Sequence, residues 1–170
     1  SRDAIVVMQL GEVDCGFVIW YRAAKYQDGI EEQLDASIAA YFAFVDEARA
    51  RGHANFVITG ATVPTIQDGQ AWGEVANARR EVTASLRERT ELTRRYNRRL
   101  RENAAARALP FVDIEDSVID PATGVVRPDF LNANPLNHHL DRAKAAALWA
   151  RALAPALAAF PRAAGRKGSD

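Results

Sequence analysis

A single cysteine, Cys15, stands in 170 residues, which excludes an internal disulfide and any zinc site built from several cysteines. Neither charge is in excess. The 22 basic residues offset 22 acidic ones, so no overall field draws the chain to nucleic acid or a membrane surface. Long apolar runs are also missing: the most apolar late stretch, residues 145–160, contains Arg151 and Pro155 and is not a membrane span. No secretory leader is visible, because Ser1-Arg2-Asp3 runs straight into a short apolar segment, and the expected location is cytoplasmic. The first residue is serine rather than methionine, which raises the expectation that something has been removed upstream. What is present is ordinary. With 48% apolar and 26% charged residues, the chain has the composition of one globular domain with a real core, not of a disordered or fibrous chain.

The pattern alternates strand and helix. Residues 4–10 form a short apolar run ending at Gly11, bounded as a strand covered on both faces would be. An irregular stretch follows to about Glu31. Residues 32–51 then carry Leu34, Ile38, Phe42 and Val45 at helical spacing and stop at Gly52. Residues 55–59 read as a second strand, and residues 60–69 as a loop broken by Pro64. A long polar helix is expected over residues 78–107, on a thin stripe of Val82, Leu86, Tyr96 and Leu100. Residues 109–114 give a third strand with Pro110 near its start, residues 120–124 a turn, and a last helix begins near Asp141 and buries Leu148, Trp149, Leu153 and Leu157. This order predicts an α/β fold with right-handed crossovers and a parallel sheet, a single domain over residues 1–160 and a frayed tail over 161–170. Three parallel strands make a narrow sheet, so either another segment completes it or a strand has escaped notice. Ligands of open parallel sheets sit beyond the carboxyl ends of the strands. Those ends are residues 11–16, 59–65 and 114–117, and the loop 132–139 can reach the same edge.

Several residues there could carry chemistry. Glu12 and Asp14 share a face of an extended chain and could hold a cation, a hydroxyl or a base, or simply bond loop amides. Cys15 is either a nucleophile or, more commonly for a single thiol, a small buried hydrophobe. His138 and His139 could supply one general base. As a metal pair they are less attractive, since neighbouring side chains of an extended segment diverge; a surface or helix-cap pair is the plain alternative. His53, after Gly52, suits a cation near a helix's negative pole. Asn132, Asn134 and Asn137 suit either sugar hydroxyls or an ordinary turn-rich loop. Trp20, Tyr21 and Trp72 could stack on a sugar ring, though core packing is the commoner use. Residues 79–107 hold ten arginines against four glutamates, a phosphate- or nucleic-acid-binding face or else a solvated helix. The aromatic interleaving of a single-strand binder is missing, so no nucleic-acid partner is expected.

Taken together, the strand into Gly11-Glu-Val-Asp-Cys15, the segment Thr93-Arg-Arg-Tyr-Asn-Arg-Arg-Leu100, Phe111-Val-Asp-Ile114 and Asn137-His-His-Leu-Asp141 resemble the C-terminal part of an SGNH/GDSL-type hydrolase over residues 4–157. The resemblance, to polysaccharide-associated members in particular, implies a three-layer flavodoxin-like parallel sheet, seen here as its C-terminal strands and helices. It implies an esterase or acyl transferase acting on an O-acylated carbohydrate, a small molecule or polysaccharide, without cofactor, metal or membrane partner. In such enzymes a strand-end Gly-x-Asn-Asp block helps form the oxyanion hole and a late Asp-x-x-His block supplies the base. Residue by residue, this makes His139 the base with His138 second and Asp14 a further catalytic residue. Gly11, Glu12, Cys15, Asn134 and Asn137 become the substrate-binding set. Three departures stand out. No Gly-Asp-Ser block occurs, so the serine nucleophile must come from a missing N-terminal segment or a companion chain. Val13 occupies the place of the oxyanion-binding Asn. The orienting Asp is replaced by Leu136, three before His139, or Pro135, three before His138, while nearby Asn134 is neutral and cannot stabilise an imidazolium as a carboxylate does. The alternative is a non-catalytic carbohydrate or nucleotide-sugar binding module of the same fold.

Overall fold

The computed structural model describes residues 2–69 and 82–160. Strand β1 (Val6–Met8) is followed by a π-helical turn (Asp14–Val18) that runs directly into α1 (Ile19–Tyr26). Helix α2 is Ile30–Ala50, β2 Phe56–Thr59, α3 Leu86–Ala106 and β3 Phe111–Val112. A single turn, α4 (Glu115–Val118), and a 3-10 turn (Pro128–Phe130) lead to α5 (Arg142–Ala158). The expected α/β order holds, with a parallel three-stranded sheet of order β1-β2-β3. Among the described residues, no helix is long and apolar enough to cross a membrane.

The topology decides where the helices lie. Two successive crossovers of one hand, moving the same way across the sheet, put their helices on one face. Accordingly α2 supplies Leu34, Ile38, Phe42 and Val45, and α3 supplies Leu92, Tyr96, Leu100 and Ala104, to one core with Met8, Phe56 and Ile58. Opposed charges tie the two helices. Arg95 and Arg99 both reach Glu31, Arg99 also meets Asp35, and Arg107 meets Asp46. Arg89, Arg94 and Arg101 pair with Asp68, Glu115 and Asp113. The arginine-rich helix is therefore largely matched by carboxylates of the same fold, which is the solvated-helix reading and not a bare anion-binding face.

Side chains alternate across a strand. Val6 and Met8 face the core of α2 and α3, whereas Val7, on the other face, is 41% exposed. Ile5, Leu10 and Val13 are exposed beside it, and no described residue pairs with the outer edge of β1. A second cluster, with Val63, Ile114, Val118 and Phe130 at its centre, takes α5 through Leu148 and Trp149.

Four expectations need correction. Residues 12–26 are helical rather than irregular: Cys15, Ile19 and Ala23, at four-residue spacing, are buried on one side, and the Trp20 indole N–H donates to the Cys15 carbonyl at 2.8 Å. Helix α3 starts at Leu86, where Ser85 and Glu88 form a capping box, and Val82 lies before it; residues 78–81 fall outside the described residues. The strands are shorter than their apolar runs, since a ladder extends only where a neighbour runs alongside. Leu148, Trp149, Leu153 and Leu157 of α5 are only half-buried.

Candidate functional site

The carboxyl ends of all three strands meet on one rim, and Gly11 makes the turn at the first of them. Its φ is +105°, in the left-handed region, and a Cβ there would lie 2.6 Å from Tyr96 Cε1 and 3.0 Å from Ala61 Cβ. Only glycine fits both demands. Beyond it the chain closes at once into a helical turn, the Cys15 N–H donating to the Gly11 carbonyl at 2.9 Å. Of the substrate-binding set, Gly11 is thus a backbone requirement, and being buried it presents no side chain to a ligand.

The turn sorts its side chains. Cys15 is 1% exposed, and burial, reinforced by the neighbouring Asp14 charge, pushes its thiol far above the ordinary range. It is the small buried hydrophobe, neither nucleophile nor substrate contact, which corrects its place in the substrate-binding set. Asp14 accepts the Ser37 hydroxyl at 2.9 Å, and Ser37 lies 3.2 Å from the Tyr96 hydroxyl, so Asp14 ties the turn to α2 and α3. Glu12 alone of the two acids meets a histidine.

The second half of the rim is the loop 132–139, closed at its base by the antiparallel pair Leu131 and Leu140. Its asparagines build it from within: Asn132, Asn134 and Asn137 accept the backbone N–H groups of Asn134, Leu136 and His139, each at 3.0 Å. Such two-residue bridges are the ordinary turn use of Asn, so the side-chain oxygens of Asn134 and Asn137 shape the loop, with their amide N–H groups on the exposed side chains left for other contacts. The Thr65 hydroxyl, from the segment after β2, donates to the His138 carbonyl and fastens the loop to the sheet edge.

These constraints bring the two ends of the sequence together. His139 Nδ1 lies 3.3 Å from Glu12 Oε1. The two imidazoles are not divergent; their ring centres are 4.0 Å apart with planes at 44°. The Asn137 turn bends the chain, so the extended-segment argument does not apply. Glu12 thus places a carboxylate near Nδ1 of the imidazole, where Leu136 and Pro135 offer none. Sequence reasoning placed it among ligand contacts; the available signal was its position at a strand's carboxyl end on the rim that His139 shares. As stability, the pair counts for little: Glu12 is 29% and His139 60% exposed, and exposed ion pairs contribute about 0–1 kcal/mol. Among the described residues, the Ser37 hydroxyl meets Asp14 and Tyr96 and the Ser85 hydroxyl meets Glu88, and neither pairs with His139. Trp20 packs against the core and Tyr21 stacks on Phe17, while Trp72 lies outside the described residues.

Asn97, buried on α3, holds the rim from below. Its side chain accepts the Ala61 N–H at 2.7 Å and donates to the Ala61 carbonyl at 3.2 Å and to Glu115 Oε2 at 2.9 Å. Leucine at this position leaves the buried Ala61 groups unpaired, each at about 1–3 kcal/mol. With part of that cost offset by the apolar burial of leucine, Asn97→Leu is expected to lower unfolding free energy by about 2–4 kcal/mol in urea denaturation; a loss within experimental error contradicts the clamp. Glu115 is held above the usual carboxylate range, chiefly by burial and further by Asp113 and Asp116, against the opposing Asn97 hydrogen bond and Arg94 charge. A raised folded pKa means that the folded state holds the proton more tightly. The penalty is absent below the ordinary Glu value and grows as pH rises through it to the folded value. Glu115→Gln, measured by thermal melts across pH, should therefore stabilise at neutral pH and lose that advantage at acid pH.

No protein-family model, no curated protein and no solved structure matches this chain.

Proposed function

We propose that this chain is the C-terminal part of an SGNH-like serine esterase or acyl transferase acting on an O-acylated carbohydrate. The observation that carries the reading is the 3.3 Å approach of Glu12 Oε1 to His139 Nδ1. A carboxylate on Nδ1 fixes the tautomer and orientation of an imidazole and leaves Nε2 for a nucleophile. His139, whose Nδ1 faces Glu12, is taken as the base, the position that the resemblance also assigns it.

The serine comes from a segment outside these 170 residues, added beside β1. Its outer edge has no strand partner among the described residues and could pair with a further parallel strand, whose connection could cover exposed Val7 on the open face. The completed sheet would be the three-layer flavodoxin-like one. The serine Oγ attacks the acyl carbon while its proton passes to His139 Nε2; the tetrahedral oxyanion rests on backbone N–H groups of the Gly11–Asp14 turn, Val13 having no side-chain donor. Collapse expels the sugar hydroxyl, which takes the proton from His139, and water or a second hydroxyl then removes the acyl group. One observation favours the binding-module reading: among the described residues, no serine hydroxyl pairs with His139.

Ester turnover decides between the two. The protein carrying the sequence upstream of Ser1 is assayed with an aryl acetate and an acetylated oligosaccharide. Hydrolysis supports the enzyme; glycan binding without turnover overturns it in favour of the module.

A further inference from the structure

We infer that Glu12, His138 and His139 form a binding site for a divalent transition-metal ion of the zinc class. The site needs only these three side chains and does not depend on the esterase reading, but an ion on His139 Nδ1 would displace the Glu12 contact that reading uses, so the base acts in the metal-free protein. One ligand atom from each lies within 4.8 Å of the other two. The donors are two imidazole nitrogens and one carboxylate oxygen, a set suited to zinc and its neighbours. Calcium and magnesium favour oxygen cages instead.

The spacing fits such an ion. Ligand bonds of about 2.0–2.2 Å in a tetrahedron put neighbouring donor atoms about 3.3–3.6 Å apart. Glu12 Oε1 and His139 Nδ1 stand 3.3 Å apart, within that range. The third donor, on His138, closes the remaining distance by rotation about side-chain torsions. The backbone beneath the donors is already fixed. The Gly11 carbonyl takes the Cys15 N–H beside Glu12, Asn137 accepts the His139 N–H at 3.0 Å, and Thr65 bonds the His138 carbonyl. The imidazole ring centres are 4.0 Å apart, and each ring has a nitrogen within 4.8 Å of a Glu12 carboxylate oxygen. Glu12 and His138 are half-buried and His139 is exposed, so the ion would sit at the mouth of the rim with its remaining coordination position toward solvent. Three ligands from two loops distant in sequence would also join the ends of the fold.

The test uses the 170-residue chain, stripped with a chelator, and needs no catalytic turnover. Zn²⁺ is titrated against a chromophoric competitor, with Mg²⁺ as the contrasting ion. One Zn²⁺ per chain is expected. His138→Ala and Glu12→Gln should each weaken binding by at least about 10-fold, the lower end of what even outer-shell partners contribute. His53→Ala, away from the cluster, should leave it unchanged. Co²⁺ in place of Zn²⁺ should give a visible absorption band of low-coordinate N/O ligation, lost in the same two variants. Circular dichroism confirms that the variants are folded. Failure to bind Zn²⁺ one-to-one overturns the site, as does binding that both substitutions leave intact, since the ion would then lie elsewhere. The esterase reading fails or stands on separate grounds, by turnover alone.

Discussion

His139→Ala, made in the protein that includes the segment upstream of Ser1, is expected to reduce kcat for ester hydrolysis by about 10⁴-fold or more, with KM nearly unchanged. Removing the base leaves the serine with no group to take its proton while the substrate surface is untouched, so the loss falls on the chemical step. Glu12→Gln should cost about 10²- to 10⁴-fold, because glutamine keeps the shape of the contact but neither stabilises the imidazolium nor fixes the same tautomer. His138→Ala should retain most of the turnover. Steady-state kinetics on one acyl ester separates the cases. Equal losses at His138 and His139 would mean that the assignment of the base by Glu12 is wrong. Retention of full activity in His139→Ala would remove the imidazole from the reaction altogether.

Gly11→Ala is the largest expected loss of stability. Two costs add there. A Cβ in the left-handed region costs about 1–2 kcal/mol. Overpacking against the Tyr96 ring, which would lie 2.6 Å from the new atom, and against Ala61 at 3.0 Å adds about 1–3 kcal/mol. The sum is about 2–5 kcal/mol, a fall in Tm of roughly 5–15 °C for a chain of this size. Gly69 supplies the control. Its φ is +73° and a Cβ there would meet nothing within 4 Å, so Gly69→Ala carries the backbone cost alone. If the two variants melt together, the close approach of the Gly11 turn to Tyr96 is not a determinant of the fold.

The frame of the fold was legible because it rests on local pattern. Apolar residues 4–10, 55–59 and 109–114 could only be short strands between longer amphipathic segments, and Leu34, Ile38, Phe42 and Val45 trace one buried helix face. What escaped were features set by neighbours. The helix through Cys15, Ile19 and Ala23 was hidden because Gly11, Gly16 and two acids make a loop-like composition, while its three buried positions mark a face only once α2 and α3 lie against it. The asparagines of residues 132–137 read equally as sugar contacts or turn makers until each side-chain oxygen was seen on an N–H two residues on.

The candidate site was legible in half. The meeting of the first strand's end with the two histidines follows from parallel topology, which gathers carboxyl ends on one rim. Which acid faces the imidazole does not follow from topology. Glu12 and Asp14 differ by two positions, and a helical turn sends them in different directions where an extended chain would have kept them together. Asp14 goes to Ser37, and Glu12 goes to His139. The expected divergence of adjacent histidines failed for the same reason, a bend where an extended segment had been assumed.

On the proposed function, Glu12 and His139 serve a serine lying outside residues 1–170. A fluorophosphonate, which forms a covalent adduct with an activated serine, tests it when the upstream-extended protein is labelled and mapped by mass spectrometry. One adduct is expected, on a serine before Ser1, lost in His139→Ala and strongly slowed in Glu12→Gln. An adduct that forms equally well in His139→Ala, or no adduct in a folded protein that still binds glycans, would contradict it.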